Sequence, residues 1–192
     1  MKNNDIALRR LIVCAMLCAI AIVLVYLIHF PLLPAAAFLE YDPADVPIFF
    51  ASICFGPWWA LAMTAVVSVI QGLTVSAQSG VIGIVMHFVA TGSFALLAGL
   101  ICGRLGTKRD TRNPSPGRIL FAFVVGVLTM TMVMAGMNLL LTPLFMQTPA
   151  EEVLKMLIPI IIPFNLLKAG INAAAAFLIY AALRRPLEHL FV

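Results

Sequence analysis

The chain has 192 residues, of which 63% are hydrophobic and only 10% are charged, whereas a soluble domain is about 25% charged. Such a small number of charged side chains cannot cover a surface that faces water. The composition therefore excludes a soluble globule and predicts an integral membrane protein in a lipid bilayer. The net charge of +4 does not indicate a nucleic-acid partner. No G-x-x-x-x-G-K-[ST] motif is present, so we expect any transport to be powered by another protein.

The positions of the charged residues predict the topology. Ten of the twelve Lys and Arg residues lie before the first apolar run, around one central polar segment, or after the last apolar run. Five of the eight acidic residues lie in two intervening loops. Because cytoplasmic loops are enriched in Lys and Arg, both termini and the central segment are expected to be cytoplasmic, in a multi-pass protein of the cell membrane.

Apolar runs that can cross a hydrocarbon core of ~30 Å predict six transmembrane helices. Pro31 and Pro34 end the first helix, and Gly56-Pro57 separates the second helix from the third. The polar segment 104–117 is predicted to be a cytoplasmic linker, and residues 1–192 to form a single all-α membrane domain. The predicted helices cover about 8–29, 45–56, 57–75, 81–103, 118–142 and 158–185.

The N-terminus has an alternative interpretation as a secretory signal, because basic residues precede an apolar run that is followed by Ala35, Ala36 and Ala37. The run from Leu11 to Ile28 is longer than the apolar region of a usual signal, so a transmembrane helix is favoured. The four cysteines lie inside predicted helices without His or carboxylate neighbours at ligand spacing. This pattern favours packing and does not suggest a metal site or disulfides.

Two predicted helices carry small residues four positions apart, which allow close approach of another helix. The first helix has Ala15 and Ala19, and the fourth has Gly99 and Gly103. One pair is expected to serve internal packing, while the other is a candidate for docking a partner.

The loop Phe38-Leu-Glu-Tyr-Asp-Pro-Ala-Asp-Val-Pro47 combines acidic and aromatic side chains immediately before the second helix. Asp45 is predicted to be the N-cap of that helix, with Pro47 in its first turn. Tyr41 and the acids have a second candidate role, which is to close over a ligand from outside. Capping by Asp45 does not exclude that role.

Four isolated polar residues follow in the third and fourth helices, namely Thr64, Ser68, Gln71 and His87. Such residues are more often helix-packing groups than ligand contacts, and His87 is kept as a candidate contact. No Ser/His/Asp set and no H-E-x-x-H motif appears, so a membrane hydrolase or protease has no catalytic candidate. The sequence therefore does not predict an enzyme.

The last predicted helix contains Asn165, Lys168 and Asn172, which share one helical stripe at i, i+3 and i+7. An unpaired lysine at depth costs about 2.5–3.5 kcal/mol on insertion scales, so Lys168 is expected to face a polar cavity. Snorkelling and a structural ion pair are the alternatives. Asn138 in the fifth helix is predicted to lie at a similar depth and to line the same outward-facing pocket, unless it only joins helices.

Four motifs follow one another along the chain, namely Asp42-Pro-Ala-Asp-Val-Pro47, Phe55-Gly-Pro57, Met134 to Asn138 with Pro143, and Pro163-Phe-Asn-Leu-Leu-Lys168. In order and spacing they resemble the riboflavin-specific substrate-binding (S) components of energy-coupling factor transporters, the RibU family. The similarity extends over essentially the whole chain, and the segment around Lys168 is its most specific part.

The resemblance implies a six-helix S-component fold that binds a vitamin near the outer face, without a further cofactor. It also implies partners, namely a transmembrane coupling subunit and two ATPase subunits, with Ala15 and Ala19 as the docking face. Asn138, Asn165 and Lys168 match family positions associated with the flavin pocket. A flavin has a flat apolar ring system that Phe38, Tyr41 and Phe164 are candidates to enclose.

The sequence departs from the family pattern in the third and fourth helices. Thr64, Val67 and Ser68 stand where many relatives have a Glu and a Lys-Asn pair, and Met86-His87-Phe88 stands where they have Ala-Asn-Phe. The leading hypothesis is a riboflavin-capturing subunit. A subunit with the same fold for another vitamin or precursor, and a structural membrane protein that transports nothing, are the alternatives.

Overall fold

A computed structural model describes residues 2–33, 36, 38–103 and 114–190, so most of the predicted linker 104–117 lies outside the described residues. The described chain is mainly helical, with one pair of two-residue strands. The helices are α1 (Lys2–Leu27), α2 (Asp45–Cys54), α3 (Pro57–Leu73), α4 (Gly80–Ile101), α5 (Pro116–Met146), α6 (Ala150–Met156) and α7 (Ile162–Leu190). The strands are β1 (Phe30–Pro31) and β2 (Glu40–Tyr41).

Four helical stretches among the described residues are long and apolar enough to cross a bilayer, namely Ala7–Leu27, Ala77–Ile101, Pro116–Met146 and Ala150–Leu183. The helices α2 and α3 are also apolar but shorter. Large apolar side chains are exposed along the long helices, as at Val81, Met132 and Ile158, each of which is more than 70% exposed. Such a surface is suited to lipid and not to water.

Several helix boundaries differ from the prediction, among them those of the fifth helix and of the last helical stretch. The fifth helix continues past Pro143 and ends only where Gln147 adopts a left-handed conformation with φ of 53°. Proline removes only one intrahelical hydrogen bond, a loss that a transmembrane helix near its end tolerates. The last helical stretch begins at Ala150 instead of 158, because Glu151 and Glu152 favour a helical first turn.

A π-helical turn, Leu157–Ile161, joins α6 to α7 without interrupting the helical path. It contains Pro159, which cannot donate the regular helical hydrogen bond. A π-helical turn is a common way to accommodate such a defect, and it is often found beside a functional site. It lies just before the stripe that carries Asn165 and Lys168.

The helix α2 is enclosed by the rest of the protein, since all ten of its residues are buried. It packs against α1, α3, α4 and α7. The break to α3 depends on Gly56, whose φ of 101° favours glycine, and on Pro57, which starts α3. The fold therefore places a short apolar helix at its centre.

An aromatic cluster from three helices forms the middle of this core. The rings of Phe49 in α2 and Phe94 in α4 stack with centroids 3.5 Å apart, and Phe123 of α5 lies 5.4 Å from Phe94. Gly126 makes room for this packing, because a Cβ there would lie 2.8 Å from the ring of Phe94. The cluster fixes α2, α4 and α5 relative to one another.

The segment between α1 and α2 folds back on itself and lies against the last helix. The strands β1 and β2 are antiparallel, with Phe30 opposite Tyr41 and Pro31 opposite Glu40. A second apolar cluster joins Ala36 and Leu39 of this segment to Val153, Ile161 and Phe164. The loop that follows β2 is thereby held over the polar stripe of α7.

Candidate functional site

A cavity of about 360 Å³ lies between the segment before α2 and the helices α3, α4, α5 and α7. Its wall combines apolar, amide, hydroxyl and charged side chains. Six of the seven predicted ligand contacts lie in this wall, and the seventh, Tyr41, does not. The six are Phe38, His87, Asn138, Phe164, Asn165 and Lys168.

Lys168 is held by an ion pair at the edge of the cavity. Its Nζ lies 2.6 Å from Oδ2 of Asp42 and donates a second hydrogen bond to the carbonyl oxygen of Glu40 at 3.2 Å. The side chain of Lys168 is 14% exposed and that of Asp42 is 2% exposed. The ammonium therefore neither extends to a helix end nor faces lipid, and it borders the cavity with its charge balanced.

Asp45 is not the N-cap of α2, which corrects the prediction from the sequence. Ala44 occupies the N-cap position without a capping side chain, and Asp45 is the first helical residue. The Asp45 carboxylate instead accepts hydrogen bonds from Thr91 at 2.9 Å and Asn172 at 3.4 Å, and contacts the ring of His87. With its carboxylate engaged by these three side chains from other helices, Asp45 does not cap its own helix.

His87 links Asp45 to the cavity wall. Its Nε2 lies 3.2 Å from Oδ1 of Asp45, and its Nδ1 lies 2.7 Å from Oγ of Ser68. A carboxylate only accepts hydrogen bonds, so Nε2 carries a proton, and in the neutral ring Nδ1 accepts from Ser68. Ser68 then offers the cavity only the lone pairs of its oxygen.

Asp45, His87 and Ser68 thus form a hydrogen-bonded series, although the sequence analysis found no Ser/His/Asp set. The prediction missed the series because its members come from three different helices. The ring is turned opposite to that of a hydrolase triad, in which Nε2 faces the serine and Nδ1 faces the carboxylate. The series therefore holds a side chain in place and does not resemble a nucleophile with its base.

Tyr41 and Asn172 connect the loop to α7 behind the cavity wall. The Tyr41 hydroxyl donates to Oδ1 of Asn172 at 3.0 Å, and Nδ2 of Asn172 donates to the carbonyl oxygen of Asp42 at 3.0 Å. Burial, with a further contribution from the nearby Asp42 carboxylate, raises the pKa of Tyr41. The phenol therefore stays protonated at neutral pH and remains a hydrogen-bond donor to Asn172.

The two amides predicted to line the pocket are each held by their own helix. Asn138 donates from Nδ2 to the carbonyl oxygen of Met134 and accepts from Thr142, both at 2.8 Å. Asn165 donates from Nδ2 to the carbonyl oxygen of Ile161 at 2.8 Å. Because an amide has two N–H donors and two acceptor lone pairs, each side chain keeps a donor and an acceptor for a ligand.

The cavity wall includes residues that the sequence analysis interpreted as packing groups or did not consider. Ser68 and Gln71 of α3 belong to the first group, and Thr91 and Met130 belong to the second. The spacing of Ser68 and Gln71 at i and i+3 on one face was the available signal. Nothing in the sequence indicated that this face meets the cavity.

The two small-residue pairs have different surroundings. Ala15 and Ala19 are exposed on α1, although the neighbouring Cys14 and Cys18 are buried. Gly99 is internal, since a Cβ at that position would lie 2.7 Å from the backbone nitrogen of Pro57. The α1 pair is therefore accessible from outside the protein, whereas Gly99 packs α4 against the start of α3.

Comparisons with known proteins give consistent matches. The sequence profile of the family described as "ECF transporter, substrate-specific component" matches residues 9–180. The riboflavin transporter FmnP of Bacillus subtilis is 28% identical over 188 residues, with 94% of this chain and 94% of the relative covered. The riboflavin transporter RibU of Streptococcus thermophilus is 30% identical over 190 residues, with 95% of this chain and 86% of the relative covered.

A similar fold has been solved experimentally. The structure described as "Structure and mechanism of the S component of a bacterial ECF transporter" matches with a TM-score of 0.73 and 28% sequence identity. The match covers 93% of this chain and 97% of that chain.

Proposed function

Because the chain belongs to the substrate-specific components of energy-coupling factor (ECF) transporters, we propose that it captures riboflavin in the cavity beside Lys168. The family is a transporter component and not an enzyme. Because its members serve transport, the alternative of a structural membrane protein that transports nothing is set aside. The observation that carries the proposal is one cavity whose wall contains Asn138, Asn165 and Lys168 together. Its volume of about 360 Å³ lies within the usual range for small-molecule pockets.

The chemistry of the wall suits a flavin. The ring system has a flat apolar part and a polar pyrimidine edge that alternates carbonyl oxygens with an N–H group. Phe38 and Phe164 supply apolar contact area, while Asn138 and Asn165 each retain one donor and one acceptor. Fixed amides of this kind provide specificity, because a ligand without matching groups leaves them unpaired.

The charge of Lys168 is compatible with a neutral ligand. Two of its three N–H donors are used by Asp42 and Glu40, so one remains for a ligand oxygen. Breaking a buried ion pair leaves an uncompensated charge, which is strongly destabilising. Riboflavin carries no charge, so it can accept this hydrogen bond while the ion pair stays intact.

In the bilayer, we propose one membrane domain with six membrane-embedded helical segments and both termini in the cytoplasm. Here α6 and α7 together count as one segment. The basic residues at both ends of the chain support this orientation. The short α2 is compatible with it, because a helix whose residues are all buried has no need to match the lipid thickness. The vitamin then enters from the outer side.

An energising module is needed for delivery, and we propose a transmembrane coupling subunit with two ATPase subunits. The exposed face around Ala15 and Ala19 is the proposed docking site. Small side chains let another helix approach closely, which is how helices associate in lipid.

Titration of the purified protein with riboflavin tests the function. We expect bound flavin to give visible absorbance and quenched flavin fluorescence. Lys168→Met removes a charged donor and is expected to weaken binding about 10- to 100-fold. Lys155→Met, which changes an exposed lysine of α6 outside the cavity, is the control and is expected to bind like the unchanged protein. Protein that is folded but colourless and does not quench riboflavin would contradict the assignment.

A second candidate, another vitamin or precursor in the same cavity, is favoured by one observation. His87 and Ser68, which differ from the family pattern, both lie in the cavity wall. A competition panel of other vitamins against riboflavin separates the two, because the true ligand displaces flavin at the lowest concentration.

A further inference from the structure

Gln71 lies in the last full turn of α3, and its side chain forms part of the cavity wall. The residue is only 8% exposed. Its Nε2 makes a long hydrogen bond of 3.5 Å to Oδ2 of Asp42, the same oxygen that accepts from Lys168. Gln71 is therefore attached to the ion pair at the edge of the cavity.

This contact fixes the orientation of the amide. A carboxylate has no proton to donate, so only the NH₂ group of Gln71 can face Asp42. The opposite orientation would place two oxygen acceptors against each other and is excluded on chemical grounds. The carbonyl oxygen, Oε1, therefore points away from Asp42.

Oε1 of Gln71 is buried and has no hydrogen-bond partner within residues 2–33, 36, 38–103 and 114–190. Most buried polar atoms in proteins are hydrogen-bonded, so an unpaired carbonyl oxygen on a residue that lines the cavity requires an explanation. A donor brought into the cavity by a ligand would supply the missing partner.

We propose that Gln71 is a specificity-determining contact whose Oε1 accepts a hydrogen bond from an O–H or N–H group of the bound vitamin. This inference rests on the proposed function and adds a residue on α3 to the amides of α5 and α7. For riboflavin the donor is either a hydroxyl of the ribityl chain or the imide N–H of the ring. Each of these two groups can donate a hydrogen bond to Oε1.

The test compares Gln71→Met with Gln147→Met in riboflavin titrations. Gln147 is an exposed glutamine outside the cavity wall, so it is a matched control. We expect Gln71→Met to weaken binding about tenfold, as loss of one buried hydrogen bond predicts, and the control to bind like the unchanged protein. Melting temperatures without ligand identify a folding defect, in which case Gln71→Leu replaces the first variant.

Two flavin analogues identify the donor. If Gln71 contacts the ribityl chain, the penalty of Gln71→Met disappears with lumiflavin, which lacks that chain, and persists with 3-methylriboflavin, which lacks the imide N–H. If it contacts the imide, the pattern reverses. Equal riboflavin affinity of the variant and the unchanged protein overturns the inference, as does an equal penalty with all three flavins. Failure of the unchanged protein to bind any flavin overturns the proposed function instead.

Discussion

At the scale of single residues, the most consequential groups are two buried carboxylates, one in the loop before α2 and one at the start of α2. Asp42 pairs with Lys168, and Asp45 accepts hydrogen bonds from Thr91 and Asn172 while contacting His87. Both acids are at least 98% buried. They hold the segment before α2 against α4 and α7, so the cavity wall is continuous across elements that are far apart in sequence.

Asp45→Asn is expected to lower the free energy of unfolding by about 1–3 kcal/mol, because the new NH₂ group faces a donor and leaves it unpaired. Thermal unfolding in detergent measures the change. The control is Glu151→Gln, the same exchange at an exposed position in the first turn of α6. Equal melting temperatures of the two variants would mean that the Asp45 contacts do not stabilise the fold.

The sequence predicted that Lys168 has polar surroundings, but it did not identify its ion-pair partner. Insertion energetics alone indicate that a mid-helix lysine needs polar surroundings. The partner is 126 residues away, and no periodicity relates positions so distant. The same limit explains the wrong prediction for Asp45. Its position before an apolar run favours an N-cap, while its hydrogen-bond partners lie on other helices.

At the scale of helices, close packing depends on glycines that face backbone or rings. A Cβ at Gly99 would lie 2.7 Å, 2.8 Å and 2.9 Å from the N, Cδ and Cα atoms of Pro57. None of these atoms belongs to a flexible side chain, so relief requires α3 and α4 to separate. The start of α3 is in turn fixed by the break at Gly56, so the contact ties α4 to the junction of α2 and α3.

Gly99→Ala is expected to destabilise the protein by about 1–3 kcal/mol through overpacking. Gly170→Ala in α7 is the control, since a Cβ there meets nothing within 4 Å and alanine is the better helix former. Melting temperatures of both variants, measured in the same detergent, check the prediction. A Gly99→Ala protein as stable as the control would show that the contact with Pro57 relaxes freely.

The residues at which helices begin and end were harder to predict from the sequence than the presence of the helices. The apolar runs located each long helix, because hydrophobicity over many residues is a strong signal. The predicted fifth helix ended at 142, directly before Pro143, yet α5 continues past this proline, and a π-helical turn contains Pro159. Proline breaks a helix when water or another structure offers the freed backbone groups a better partner, and a membrane offers none.

At the scale of the whole molecule, the two proposed tasks of ligand capture and partner docking fall on different surfaces. The cavity lies among α3, α4, α5 and α7, whereas Ala15 and Ala19 are exposed on α1. Neither alanine lines the cavity. Ligand capture and partner docking are therefore expected to be separable by substitution.

Ala15→Trp is expected to abolish riboflavin uptake by the assembled transporter, since a bulky side chain prevents close approach of a helix. Riboflavin affinity of the isolated protein should be unchanged. Ala174→Trp, at an exposed alanine of α7, is the control. Uptake in vesicles containing the energising module is measured beside fluorescence titration. Normal uptake by the Ala15→Trp protein would place the docking surface elsewhere.

The shortness of α2 explains how a lysine near the midpoint of the Ala150–Leu183 span obtains a countercharge. Ten helical residues rise only about 15 Å, roughly half of the hydrocarbon thickness. The loop ahead of Asp45 can therefore descend into the interior of the membrane and bring Asp42 level with Lys168. One additional turn would move that carboxylate by about 5.4 Å. The number of residues in α2 thus sets the depth at which Asp42 can neutralise the lysine.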